Sequence, residues 1–228
     1  MFDAATLDAL RITLEVALGA TILVALPAIG TGFALARAQF FGKSVVETIV
    51  ALPLVLPPTA IGYLLLALFA RDGWLGPRAI GFDPGVLFTL RGAIIASAVV
   101  SFPLVARSAR TAFELVDPRL EKMSQSLGAS PWRTFLQVSL PLARRGLIGA
   151  LALGFGRAIG EFGATVIVAG NIPGRTQTLA LAIFNDIQVG DHDHALMLVG
   201  LTTVLAFVLL WSIERWLEPR PQKGIAKP

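Results

Sequence analysis

The sequence predicts an all-α, polytopic membrane protein with about five transmembrane helices, and three observations carry that prediction. Of 228 residues, 55% are apolar and only 15% are charged, whereas soluble domains run nearer a quarter charged. Uncharged runs recur along the chain at the length of about 20 residues that a helix needs to cross a hydrocarbon core of roughly 30 Å. No period-two alternation marks barrel strands, and a bilayer offers no water to unsatisfied backbone groups, so these runs must be helical.

The spans follow in order. Residues 16–36 lie uncharged between Glu15 and Arg37, 48–70 between Glu47 and Arg71, and 195–213 between Asp193 and Glu214. Residues 86–106 carry Arg91 near their start, where its side chain can snorkel to the interface. Residues 146–169 carry Arg157 and Glu161 well inside. The chain, 1–228, reads as a single transmembrane domain with one long loop, 107–145. The start, Met1-Phe2-Asp3, lacks the basic region of a secretory signal. With no cysteine there is neither a disulfide framework nor a thiolate metal site.

Arg37 and Lys43 follow span one. Arg107, Arg110, Arg119, Lys122, Arg133, Arg144 and Arg145 follow span three, and Arg215, Arg220, Lys223 and Lys227 form the tail. Together they are more than twice as many as Arg11, Arg71, Arg78, Arg91 and Arg175 on the other side. The positive-inside rule then predicts an external N-terminus and a cytoplasmic C-terminus, which needs an odd number of spans. The net charge of +4 is read as this topology signal and not as affinity for nucleic acid.

The 107–145 loop is far longer than a helix connection requires. Asp117 and Ser130 are placed to cap helices that Pro118 and Pro131 open. Gly128 separates them, and Pro141 is expected to end the second. That second helix is amphipathic, with Trp132, Phe135, Leu136, Val138 and Leu140 among polar residues. It is either a docking surface for a soluble partner or a helix lying on lipid or on its own bundle. On the other side, Asn171-Ile172-Pro173-Gly174 reads as a turn and 178–188 as a short helix. Gly190-Asp191-His192-Asp193-His194 reads as a solvated capping loop in preference to a metal site.

Span two contains Pro53, Pro57 and Pro58, which must kink or break it. Broken helices at membrane depth line cavities or gates; a static packing kink is the alternative. In span four, Arg157 lies about 16 Å beyond Gly146 at 1.5 Å per residue, near the midplane. Glu161, four residues on, can pair with it. The pair either neutralises itself against neighbouring helices or flanks a route for a charged substrate. Gly154, Gly156, Gly160, Gly163 and Ala164 suggest close helix approach, for example between Gly156 and Gly160. Gly42-Lys43-Ser44 resembles the end of a phosphate loop. Arg37 stands where its first glycine belongs, however, so ATP binding within this chain is rejected.

The loop resembles that of bacterial ABC importer permeases, which reads Glu-Ala-Ala, three residues, Gly, nine residues, Ile-x-Leu-Pro. Here Gly128 is followed at that spacing by Val138-Ser139-Leu140-Pro141, while Lys122-Met123-Ser124 replace Glu-Ala-Ala and Glu121 lies one residue earlier. Leu52-Pro53-Leu54-Val55-Leu56-Pro57-Pro58, Gly62-Tyr63-Leu64-Leu65, Ser101-Phe102-Pro103-Leu104 and Gly160-Glu161-Phe162-Gly163-Ala164-Thr165 resemble the permeases of molybdate importers. The resemblance implies a type I ABC importer permease-like fold in the bacterial cytoplasmic membrane. It implies a homodimer with ATP-binding cassette ATPase subunits beneath and a periplasmic or surface oxyanion-binding protein above. ATP and Mg would sit on the partner ATPase, with no cofactor or metal on this chain and no catalytic residue. Coupling to the ATPase would fall to Glu121, Gly128, Ala129, Ser130, Pro131, Trp132, Leu140 and Pro141. The pathway or gate would involve Pro57, Pro58, Thr59, Ser101, Arg157, Glu161 and Thr165. The expected cargo is molybdate or tungstate; a sulfate or thiosulfate permease and a non-transport membrane scaffold are the alternatives.

Overall fold

The structure, a computed structural model, describes residues 3–217. Helix α1 (Ala4–Arg37) opens where the Asp3 carboxylate accepts from the Thr6 N–H at 2.8 Å, a side-chain cap that satisfies one orphan amide. At 34 residues it far exceeds the expected 16–36 span, because Arg11 and Glu15 pair with each other along its exposed side and do not stop it. Helices α2 (Lys43–Val55) and α3 (Pro58–Phe69) follow, then a short α4 (Pro77–Ile80). Helix α5 (Leu90–Glu114) begins at the Thr89 cap, four residues inside the expected boundary, and runs past its expected end at 106.

Helices α6 (Pro118–Ser126) and α7 (Pro131–Thr134) build the loop. Their caps are as the sequence predicts: Asp117 accepts from the Arg119 N–H and Ser130 from the Arg133 N–H. A π-helical segment, Phe135–Ser139, leads into α8 (Leu140–Ile159). Then come α9 (Gly163–Ala169), α10 (Leu179–Val189), capped by Thr178, and α11 (His192–Leu217).

Among the described residues, four helical stretches are each long and apolar enough to cross a bilayer: α1, α5, the run Pro131–Ile159 and His192–Ile213 of α11. Helices α2 and α3 make a fifth span only together, bent by 105° at their junction. Helix α5 is the centre of the bundle, with 61% of its apolar window buried against 6% for α11. Small residues let its neighbours approach closely. A Cβ on Gly32 of α1 would lie 2.8 Å from the Arg110 nitrogen of α5, and one on Gly146 of α8 would lie 2.5 Å from the Ala112 Cβ. Ala17, Ala20 and Ala28 of α1 are fully buried in the same core.

Three expectations need correction. Pro141 does not end the loop helix. The wider π turn, in which the Leu140 N–H reaches back five residues to the Phe135 carbonyl, gives the proline ring room that an α turn denies it, and the helix runs on. Span four is not one helix over 146–169 but breaks at Gly160-Glu161-Phe162 between α8 and α9. The close-approach glycines differ in part: Gly154 and Gly163 are as expected, Gly156 and Gly160 are not. Gly146, Gly154, Gly62 and Gly163 face tight contacts, whereas a Cβ on Gly156 would meet nothing nearer than the Leu209 Cδ2 at 3.7 Å, and one on Gly160 would meet nothing within 4 Å.

Candidate functional site

The two broken spans meet at their breaks. Pro57 and Pro58 have no N–H to continue α2, so α3 restarts at Pro58 with its fixed φ suited to a first helical position. Across from it, α9 restarts at Gly163. A Cβ on Gly163 would lie 2.9 Å from the Pro58 Cβ and 3.3 Å from the Thr59 nitrogen. One on Gly62 would lie 2.9 Å from the Ala164 Cα. The first turns of α3 and α9 are therefore in backbone-close contact, with Ile61, Leu65, Ala164 and Val168 packed beside them.

Glu161 organises the second break. Its carboxylate is 2% exposed. One oxygen accepts from Arg157 at 2.7 Å and the other from the Ala164 N–H at 2.9 Å. The expected i,i+4 pair is thus present, but the glutamate also serves as a cap for α9, compensating an amide that the break leaves free. Arg157 is one third exposed, and Glu161 takes one of its five N–H donors. A partly exposed cation thus sits beside the junction of two broken spans. The other predicted pathway residues divide. Pro57 and Thr59 are exposed and Pro58 half-buried. Ser101 is buried and donates to carbonyls of its own helix, Ser97 at 2.8 Å and Ala98 at 3.3 Å. Thr165 is fully buried and its hydroxyl has no partner.

At the loop end of the bundle, Gly128 has φ +90 and open space around a Cβ, so glycine is needed for its backbone conformation and not for room. The loop helix uses both of its faces. Phe135 packs inward on Phe33 at 4.7 Å, and Phe33 on the fully buried Phe113 at 5.1 Å. Trp132 stacks on Phe135 yet stays 68% exposed. Leu120, Met123, Leu127 and Leu136 are also exposed, as are Gly128, Ser130, Pro131 and Pro141; Ala129 and Leu140 are half-buried. Glu121 is different. It points inward to Arg37 and Ser139, contacts that separations of 84 and 18 residues hid from sequence reading.

A polar cavity of about 290 Å³ lies nearby, lined by Ser44, Glu47 and Thr48 of α2 and by Arg107 and Arg110 of α5. Arg110 bonds Glu114 at 2.7 Å and Glu47 at 2.8 Å.

At the opposite end, Asp191 caps α11 through the His194 N–H, and His194 bonds Asp186 at 2.6 Å. Asp191 and His194, two of the residues considered for a metal site, thus act in capping and interhelical contact. The Leu179 N–H of α10 donates to the buried Thr13 hydroxyl of α1 at 2.8 Å, a tie that no local motif announces.

A family model described as "binding-protein-dependent transport system inner membrane component" matches residues 28–223. The chain is 40% identical over 97% of both chains to the "Molybdenum transport system permease protein ModB" of Haemophilus influenzae. It is 42% identical over 90% of both to the "Putative molybdenum transport system permease protein YvgM" of Bacillus subtilis, and 42% identical over 86% of both to ModB of Escherichia coli. Among solved structures, a bacterial alginate ABC transporter in complex with its periplasmic protein aligns at TM-score 0.77 and 17% identity, covering 98% of this chain and 82% of that one. The MetNI methionine ABC transporter aligns at 0.66 and 18%, covering 93% of each. At such identities these two neighbours speak for the fold alone. The chain belongs to the binding-protein-dependent transport system inner membrane component family and is a permease subunit of an ABC transporter.

Proposed function

We propose that this member of the family moves an oxyanion, molybdate or tungstate, across the cytoplasmic membrane, driven by ATP hydrolysis on a separate subunit. The observation that carries the reading is 40–42% identity to molybdenum transport permeases over nearly the full length of both chains. Relatives named as sulfate permeases match at 32–34% and over 71–74% of their own length, which makes sulfate the second reading.

Two copies of the chain form the membrane unit, with the α2–α3 break and the Arg157–Glu161 pair beside the route. Arg157 offers a desolvated anion a cationic partner at a depth where an unpaired charge costs at least about 2.5–3.5 kcal/mol. The loop faces the cytoplasm and the N-terminus lies outside. The exposed face around Gly128, Ser130, Pro131 and Trp132 docks in the ATPase, which carries ATP and Mg, and a periplasmic or surface binding protein delivers the anion. Closure of the ATPases moves the docked loops and turns the route outward.

The test is uptake of radiolabelled molybdate into vesicles holding the permease with its cognate ATPase and binding protein. ATP-dependent uptake displaced by tungstate and not by sulfate is expected. Displacement by sulfate alone overturns the cargo, and absence of ATP-dependent uptake overturns the reading as a whole.

A further inference from the structure

Glu121 sits in the loop yet faces the bundle. Its side chain is 12% exposed, and that of Arg37, at the last turn of α1, is 19% exposed. The two form a two-pronged pair: Arg37 Nε reaches Oε2 at 2.9 Å and Nη2 reaches Oε1 at 2.8 Å. The same Nη2 donates to the Val116 carbonyl at 3.0 Å, and the Ser139 hydroxyl donates to Glu121 Oε1 at 2.8 Å. One carboxylate and one guanidinium therefore join four segments: α1, the corner between α5 and α6, α6 itself and the π-helical segment. Fork-to-fork geometry makes such pairs the strong and directional ones, unlike exposed pairs that contribute little.

We propose that Arg37 and Glu121 are positioning residues for energy coupling: they clamp α6 to α1, so that movement of the docked loop is delivered to span one as a rigid unit. The inference rests on the reading of the loop as the ATPase dock. Helix α1 then acts as a lever. From Arg37 to Thr13 it runs roughly 36 Å at 1.5 Å per residue, and at Thr13 it holds the first amide of α10 through a buried 2.8 Å bond. A tilt imposed at one face of the membrane thus reaches the helix that packs over the other.

The test uses the complete transporter in vesicles. The permease has no cysteine, so Ala34→Cys on α1 and Gln125→Cys on α6, both at exposed positions, take spin labels uniquely. The distance between labels within one protomer is measured with and without trapped ATP, and uptake per ATP hydrolysed is measured on the same material. The expected distance is constant to within about 2 Å, the scale of an ordinary interfacial helix shift. Adding Glu121→Gln is expected to make it vary with nucleotide and to lower uptake per ATP on the order of tenfold, toward the upper range for coupling mutations. The charge-exchanged pair Arg37→Glu with Glu121→Arg is expected to recover part of that ratio. A larger nucleotide-dependent change without Glu121→Gln overturns the clamp, as does an unchanged ratio in Glu121→Gln. Absence of ATP-driven uptake before Glu121→Gln is introduced overturns the docking reading itself, and the clamp with it.

Discussion

Substituting alanine at Gly62 and at Gly156 separates packing from propensity, because both positions lie inside helices and the chemical change is the same. Alanine is the better helix former by about 1 kcal/mol at either position. At Gly62 the new Cβ would lie 2.9 Å from the Ala164 Cα, 3.0 Å from its carbonyl oxygen and 3.0 Å from the Ile167 Cβ. Ordinary carbon contacts lie near 3.5–4.0 Å, so α3 and α9 must part by more than half an ångström. Backbone atoms cannot rotate away as a side-chain tip can. Overpacking of this kind costs about 1–3 kcal/mol, and the backbone obstacle places Gly62→Ala toward the upper end, leaving a net loss of about 1–2 kcal/mol after the propensity gain. At Gly156 the nearest atom is a leucine methyl at 3.7 Å, so only the gain remains. Thermal unfolding of the detergent-purified permease, followed by tryptophan fluorescence, should place Gly62→Ala below the parent and Gly156→Ala at or above it. The uptake assay should fall for Gly62→Ala alone, because the contact it opens joins the two broken spans. If Gly62→Ala melts at or above Gly156→Ala, the close α3–α9 contact is not present in the molecule.

Gly128→Ala should weaken the loop by about 1–2 kcal/mol, the penalty of a Cβ in a left-handed conformation. Uptake per ATP should drop while membrane insertion persists, and parental coupling would refute a need for that turn. Glu161→Gln keeps an acceptor for the Ala164 amide but removes the charge opposite Arg157. Loss of a fully buried ion-pair partner costs about 3–5 kcal/mol; with Arg157 one third exposed, about 1–3 kcal/mol is expected, seen as a lower melting temperature and reduced uptake. Parental behaviour in both assays would show the pair to be idle. A reporter fused after Lys227 should read cytoplasmic and one inserted in the 71–83 loop external; the opposite pattern would reverse the proposed topology.

Local chemistry made several features legible. Asp117 and Ser130 cap the helices expected of them because capping depends on residues two or three apart. The proline cluster announced the α2–α3 break for the same reason: a missing N–H is a property of the residue itself. The break in span four carried a weaker signal, Gly160 followed by Glu161 three residues before the Ala164 amide, which an uncharged-run criterion overlooks. The passage through Pro141 was misjudged because a proline stops an α turn, and the widening to a π turn over Phe135–Ser139, beside the packing of Phe135 and Leu140 on Phe113 and Leu147, leaves the ring room. Gly154 and Gly163 do meet close neighbours, but Gly156 and Gly160 were misassigned for a related reason. Spacing along a helix says which glycines share a face, but not which face meets a neighbour.

Hydropathy alone determined that this chain is helical and spans a membrane about five times, because transfer of apolar residues and backbone into lipid depends on composition along a contiguous run. Tertiary structure decided which contacts those helices make. The meeting of the two breaks at Gly62 and Gly163, the tie between Thr13 and Leu179, and the inward turn of Glu121 to Arg37 each join residues far apart in the chain. Their energies arise from distance and burial in three dimensions, quantities that no stretch of sequence contains. Glu121 is the sharpest instance: by position it belongs to the loop proposed to dock the ATPase, and by geometry it belongs to the joint that holds that loop to α1.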